Sequence, residues 1–179
     1  LPSAQLRKGR GCPPCYNIFM KICLLHFTAP PLVGGVETTL AHLAQQLARS
    51  GHMLRILAGR GQTWDARIPV ELLPRLDLRH PQVLRVKAGL DAGQVPLEYT
   101  ELSQQLEADL RRATQGCDVL IAHNAASSTR HLALSTALFN LSQSGRGPRL
   151  ILWHNDFELD ADLPAGPPWE VLRTPWRGV

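Results

Sequence analysis

Apolar and polar positions along this chain follow two alternating periods. The segments "KICLLHF" (21–27), "MLRILAG" (53–59), "DVLIA" (118–122) and residues 149–153 of "GRGPRLILWHND" are short apolar runs, the pattern of strands buried on both faces. Between them, apolar residues recur at helical spacing. Val36, Leu40, Leu43, Ala44 and Leu47 predict a helix from about 36 to 50, stopped by Gly51. Leu102, Leu106, Leu110 and Ala113 predict another from about Leu97 to Thr114, with Glu and Arg on its outer face. A third follows "DVLIA", capped by Ser127 or Ser128 and running to about Ser142. Pro69, Pro74, Pro81 and Pro96 punctuate residues 60–97, where "PVELL" suits a short strand and "VLRVK" (83–87) another short strand or an irregular loop. The order β-α-β-(β)-α-β-α-β predicts an α/β fold: a doubly wound, mostly parallel, Rossmann-like sheet with right-handed crossovers.

Composition narrows the partners. With 179 residues, 44% hydrophobic and 19% charged, the chain has the size and character of one globular domain. No apolar run approaches the roughly 20 residues of a membrane span. The net charge of +4 comes from 19 Lys and Arg against 15 Asp and Glu, scattered except at Arg7-Lys8-Arg10 and Arg111-Arg112. That scatter gives no nucleic-acid footprint, but mild basicity suits a phosphorylated small ligand or peripheral contact with an anionic membrane surface.

Four cysteines are too few for a disulfide scaffold at this length. Cys23 in the first strand and Cys117 just before another read as buried or half-buried thiols. Cys12 and Cys15 form "CPPC", a redox spacing, but no helix follows to host a thiolate. Residues 1–19 contain no apolar core of a signal peptide and read as a disordered extension before a natural start at Met20. Without a targeting signal the cytoplasm is the default. Residues 20–157 form the expected Rossmann-like domain, and 158–179 a Pro/Gly-rich tail leading towards a larger protein.

In an open parallel sheet, ligands bind outside the carboxyl ends of the strands, where strand order reverses. His26, His123 and His154 all fall at such ends. A zinc site built from them is disfavoured, because none has another His or Cys at ligand spacing. Asn124 in "AHN" and Asp156 in "WHND" suit sugar hydroxyls. His42, His52, His80 and His131 read as structural or solvated, and removal of His131 is expected to matter little. Gly34-Gly35 lies between the first strand and the first helix, where exposed N–H groups and roughly half a positive charge from the macrodipole can receive a phosphate. The loop is neither a Walker sequence nor the G-x-G-x-x-G fingerprint, which lowers the alternative of a nicotinamide-dependent oxidoreductase.

"PPLVGGVETTLAHLAQQLARSGH", with "DVLIAHN" and "LILWHND" in order and spacing, resembles glycosyltransferase family 4, retaining enzymes of the two-domain GT-B fold. The resemblance covers about residues 20–157. It implies that the chain is the amino-terminal, acceptor-side domain, and that a carboxy-terminal domain holds a nucleotide-diphosphate sugar, the donor substrate. It implies no cofactor and no metal. Gly34 and Gly35 would face the donor diphosphate, His123 would be the catalytic histidine beside the transferred sugar, and Asn124, His154 and Asp156 would line the acceptor and sugar side. The acceptor would be a glycan, a lipid or a small molecule. The family's donor-binding pair of glutamates eight positions apart has no counterpart here, so this chain alone is expected to transfer no sugar. Truncation of His123 in a complete enzyme is expected to slow the chemical step and leave folding alone. The rival of another class is a non-catalytic glycan- or partner-binding module.

Overall fold

The structure is a computed structural model and describes residues 19–32, 34–126, 129–154, 163–174 and 176. The "CPPC" cysteines, the two serines expected to cap a helix, and Asp156 lie outside the described residues.

Five parallel strands form one sheet in the order β3-β2-β1-β4-β5: β1 (Lys21–Thr28), β2 (Met53–Arg60), β3 (Val70–Leu72), β4 (Val119–His123) and β5 (Arg149–Trp153). β1 is central, pairing Ile22 with Leu54 on one side and with Val119 on the other. Its alternation serves two cores. Cys23, Leu25 and Phe27 face a cluster with the helices that follow β3 and β4, whereas Ile22 and Leu24 face helix α1 (Gly35–Arg49). That is why "KICLLHF" is apolar nearly throughout.

Each helix buries the stripe its spacing prescribes. α1 turns Leu40 and Ala44 inward. α2 (Pro81–Asp91) buries Val83, Val86 and Leu90, and α3 (Glu98–Ala113) buries Leu102, Leu106 and Leu110. α4 (Leu132–Gln143) is buried at seven positions around its circumference. Such a helix must be covered on several sides: α3 packs on one, and a 3-10 turn at Trp169–Leu172 brings Trp169 and Val171 into the same cluster. The tail thus contributes packing, with Phe139 and Trp176 edge to face at 5.6 Å.

The order of strands and helices agrees with the alternation in the sequence, and "PVELL" does supply β3. Residues 83–87 are corrected: "VLRVK" is helical, within α2. Pro81 fixes the first turn, and the His80 side chain accepts from the Gln82 N–H as N-cap. Val83, Val86 and Leu90 fit a period near 3.6, with Leu84 left half-exposed; a two-residue period read from so short a run misses this.

Cys23 and Cys117 are also corrected. They are not separate thiols but a disulfide, with Cα atoms 6.5 Å apart. The pairing of β1 with β4 brings together residues 94 apart in sequence, which a count of cysteines does not reveal. Among the described residues no helix is long and apolar enough to cross a membrane.

Candidate functional site

Strand order reverses at β1, whose neighbours β2 and β4 lead away in opposite directions. A cleft of about 330 Å³ opens above this point, at the carboxyl ends of the strands. β1 contributes His26, Phe27 and Thr28, and the first turn of α1 contributes Gly35, Val36 and Glu37. Arg60 comes from the end of β2, Asp77 and Arg79 from the turn after β3, and Asn124 and Arg130 from the segment after β4.

Local backbone rules put these groups in place. Gly59 lets the Asp77 segment close on β2, since a Cβ there would stand 2.7 Å from the Asp77 Cβ. Asp77 then meets Arg60 at 3.4 Å and accepts the Arg79 backbone N–H at 3.0 Å. Asn124 adopts φ 51°, a left-handed conformation that Asn tolerates better than most residues, and its backbone N–H donates to the Trp153 carbonyl at 2.8 Å. The chain therefore turns sharply at the end of β4. At the opposite wall, the Thr28 hydroxyl donates to the Glu37 carboxylate.

Beneath the cleft runs a row of rings. Phe27 stacks on His131 at 6.2 Å and lies 5.1 Å from His26; His26 is 5.8 Å from His123, which stacks on Trp153 at 5.0 Å. His123 is 1% exposed, so it belongs to the floor and does not line the cleft. His26 does line it. Its Nδ1 lies 2.8 Å from the His123 carbonyl, which can only accept, so Nδ1 carries the proton and Nε2 is the lone pair of the neutral ring. Burial pushes the His26 pKa down. The carbonyl bond and Glu37 oppose that shift, and Arg130 adds to it. His26 is accordingly neutral at pH 7.

Of the residues singled out in the sequence, Gly35 and Asn124 line the cleft. Gly34 stands next to it as the N-cap of α1, with no side-chain cap bond. An added Cβ at Gly34 would run into the Glu37 carboxylate, whereas one at Gly35 meets no atom within 4 Å. His154 follows β5, half-buried, with its pKa lowered by burial, and is not among the cleft residues. Sequence reasoning missed Glu37, Arg60, Asp77, Arg79 and Arg130. Arg60 ends β2 and Glu37 sits in the first turn of α1, so the rule that drew attention to the histidines applies to them equally, whereas Asp77 and Arg130 lie five and seven residues beyond the ends of β3 and β4. Arg79 follows a strand too short to mark its own end. Among the described residues no group of three or more His, Cys, Asp or Glu side chains is placed to hold a metal ion.

No protein-family model matches the chain, and no curated protein matches it.

Proposed function

We propose that the chain is the acceptor-side half of a retaining glycosyltransferase of the GT-B type, acting with a carboxy-terminal domain that holds a nucleotide-diphosphate sugar. The observation that carries the reading is Gly35: it borders the cleft at the reversal of strand order, and packing does not require its glycine. Space there, over the uncapped first turn of α1, lets a diphosphate approach main-chain N–H groups closely.

The chemistry is electrostatic. As the bond from sugar to diphosphate lengthens, negative charge grows on the leaving oxygen, and N–H groups near 35–37 offset it without reorganising. Asn124 offers a donor and an acceptor to sugar hydroxyls. His26 Nε2, facing the cleft as a lone pair, accepts from a hydroxyl of the bound acceptor. His123 acts through the floor by holding His26 in this tautomer, and His154 and Asp156 belong to the acceptor side. The burial of His123 favours one other reading, a module that binds glycans without turnover.

A cytoplasmic setting with peripheral membrane contact suits a nucleotide-sugar donor. The Cys23–Cys117 disulfide opposes it, because such bonds are rare in that reducing compartment.

The test is titration of the 179-residue chain with UDP and GDP, followed by backbone amide shifts. Shifts centred on 35–37 and absent in Gly35→Val support the diphosphate loop; no shift there with either nucleotide sinks it. Transfer to an acceptor by the complete two-domain protein separates the enzyme from the binding module.

A further inference from the structure

We infer that Cys117 is a thiol-modification site: it forms a mixed disulfide with a low-molecular-weight thiol of the glutathione class, and Cys23 is the resolving cysteine that displaces this thiol. The inference is independent of the glycosyltransferase reading, because the site lies at the amino ends of the strands and the cleft at their carboxyl ends.

The two sulfurs of one bond stand in unlike places. Cys23 is 0% exposed, near the start of the central strand, between Arg55 of β2 and Leu120 of β4. It shares a core cluster with Ala113, Leu120 and Leu150, so a reagent in solution does not reach it while the fold is closed. Cys117 stands in the turn from α3 into β4 and is half-buried. Its neighbours Gln115, Gly116 and Asp118 are exposed. Gly116 makes the turn with φ 74°, and a Cβ added there would meet no atom within 4 Å, so that flank of the cysteine is uncovered. Two surface hollows, of about 250 and 280 Å³, share Gln115, Gly116 and Cys117 in their linings. One extends towards Leu141 and Pro148, the other towards Met53 and Pro69. Both have the size of a small-molecule site rather than of a protein interface.

Thiol–disulfide exchange is a displacement at sulfur, and access decides which sulfur is attacked. With the bond closed, an incoming thiolate attacks Cys117 Sγ. A new S–S bond forms there, the Cys23–Cys117 bond breaks, and its electron pair leaves on Cys23 Sγ, which takes a proton from water. In the reduced chain the same sulfur reacts first. Cys117 as thiolate attacks a small disulfide and releases one thiolate; Cys23, having lost its proton, then attacks Cys117 Sγ and releases the second. Two cysteines are oxidised and one small disulfide is reduced to two thiols.

The experiment uses the full chain with Cys12→Ser and Cys15→Ser, so that only this pair reacts, and adds Cys23→Ala or Cys117→Ala. Glutathione disulfide is the probe, and intact mass follows the reaction under native conditions. Cys23→Ala is expected to accumulate one glutathione per chain, because no second thiol displaces it. Cys117→Ala leaves only a thiol that reacts through opening of the core, and should be at least about ten-fold slower. In denaturing urea the two rates should converge, which separates burial from intrinsic reactivity.

A second measurement needs neither alanine variant. The reduced chain, with Cys23 and Cys117 both present, is alkylated with limiting iodoacetamide under native conditions and mapped, and the label should be on Cys117. Native reaction of Cys117→Ala as fast as that of Cys23→Ala, no mixed disulfide in Cys23→Ala, or alkylation shared equally or favouring Cys23 overturns the inference. If either alanine variant loses its near-UV circular dichroism, the alkylation decides alone.

Discussion

His26 donates its Nδ1 proton to the main-chain carbonyl of His123, 2.8 Å away, tying the carboxyl ends of two adjacent strands through a side chain. One imidazole lines the cleft, while the other lies buried beneath it and its residue fixes the first ring through the main chain. The two are therefore expected to answer differently to substitution.

His123→Ala removes a ring that is 1% exposed and packed between His26 and Trp153. Buried large-to-small changes cost about 2 to 5 kcal/mol, so urea denaturation should show a clear loss, contrary to the expectation from sequence that folding would be spared. His26→Asn places an amide donor where Nδ1 stood and deletes Nε2. It should retain most of the stability and lose acceptor binding; a variant that binds acceptor normally removes His26 from the site.

Gly35→Ala separates packing from ligand approach. The position has room for a methyl group, and Ala favours helix over Gly by up to about 1 kcal/mol. The melting temperature should hold or rise, while UDP-induced shifts at 35–37 shrink. A lower melting temperature with unchanged UDP shifts would assign the glycine to the fold alone.

The sheet could be read from the sequence because strands buried on both faces leave continuous apolar runs, and the cores of α1 and α3 because Leu40 and Leu106 recur in register with their neighbours. α2 could not, because its signals are the proline at its start and three spaced residues inside a proline-rich stretch. The cleft was half legible. A residue at a strand end can be named from the chain, but whether it faces ligand or floor depends on pleat and packing. Thus of His26 and His123, both candidates at strand ends, His26 lines the cleft and His123 is buried beneath it. The contribution of Asp77 depends on Gly59 lying beneath it, a contact between segments that no local pattern encodes.

His131 is not the inert position expected from its sequence. Its Nε2 lies 2.8 Å from the Arg75 carbonyl, its ring stacks on Phe27, and burial lowers its pKa to about 4, with His80 adding to the shift. The unfolded imidazole takes a proton near pH 6.5, while the folded one refuses it until about pH 4. Its contribution to stability is therefore intact above pH 6.5 and lost as pH falls through that window, on the order of 3 kcal/mol in all. His26 and His154 act in the same direction. His131→Asn should lower stability at pH 7 and flatten its decline between pH 6.5 and 4, and an unchanged slope would contradict the assigned cause.

The Cys23–Cys117 bond closes a loop of 94 residues, which in the chain-entropy account is worth about 4 to 5 kcal/mol. For a chain of this size, reduction should lower the melting temperature on the order of 10 °C. Peptide mapping without reductant should recover the two cysteines in one linked fragment. Coincident melting curves for the oxidised and reduced chain would show that the bond does not constrain the fold.

The central position of β1 also dictates an order of events during synthesis. β2 leaves the ribosome soon after β1, so β1-α1-β2 can assemble as a local unit. The other edge of β1 must wait for a partner, because His26 and His123 are 97 residues apart. At 5 to 20 residues per second that interval is about 5 to 20 s. For that time the edge that will border the cleft is unpaired and open to the wrong strand, and the arrival of β4 both covers that edge and completes the floor beneath the cleft.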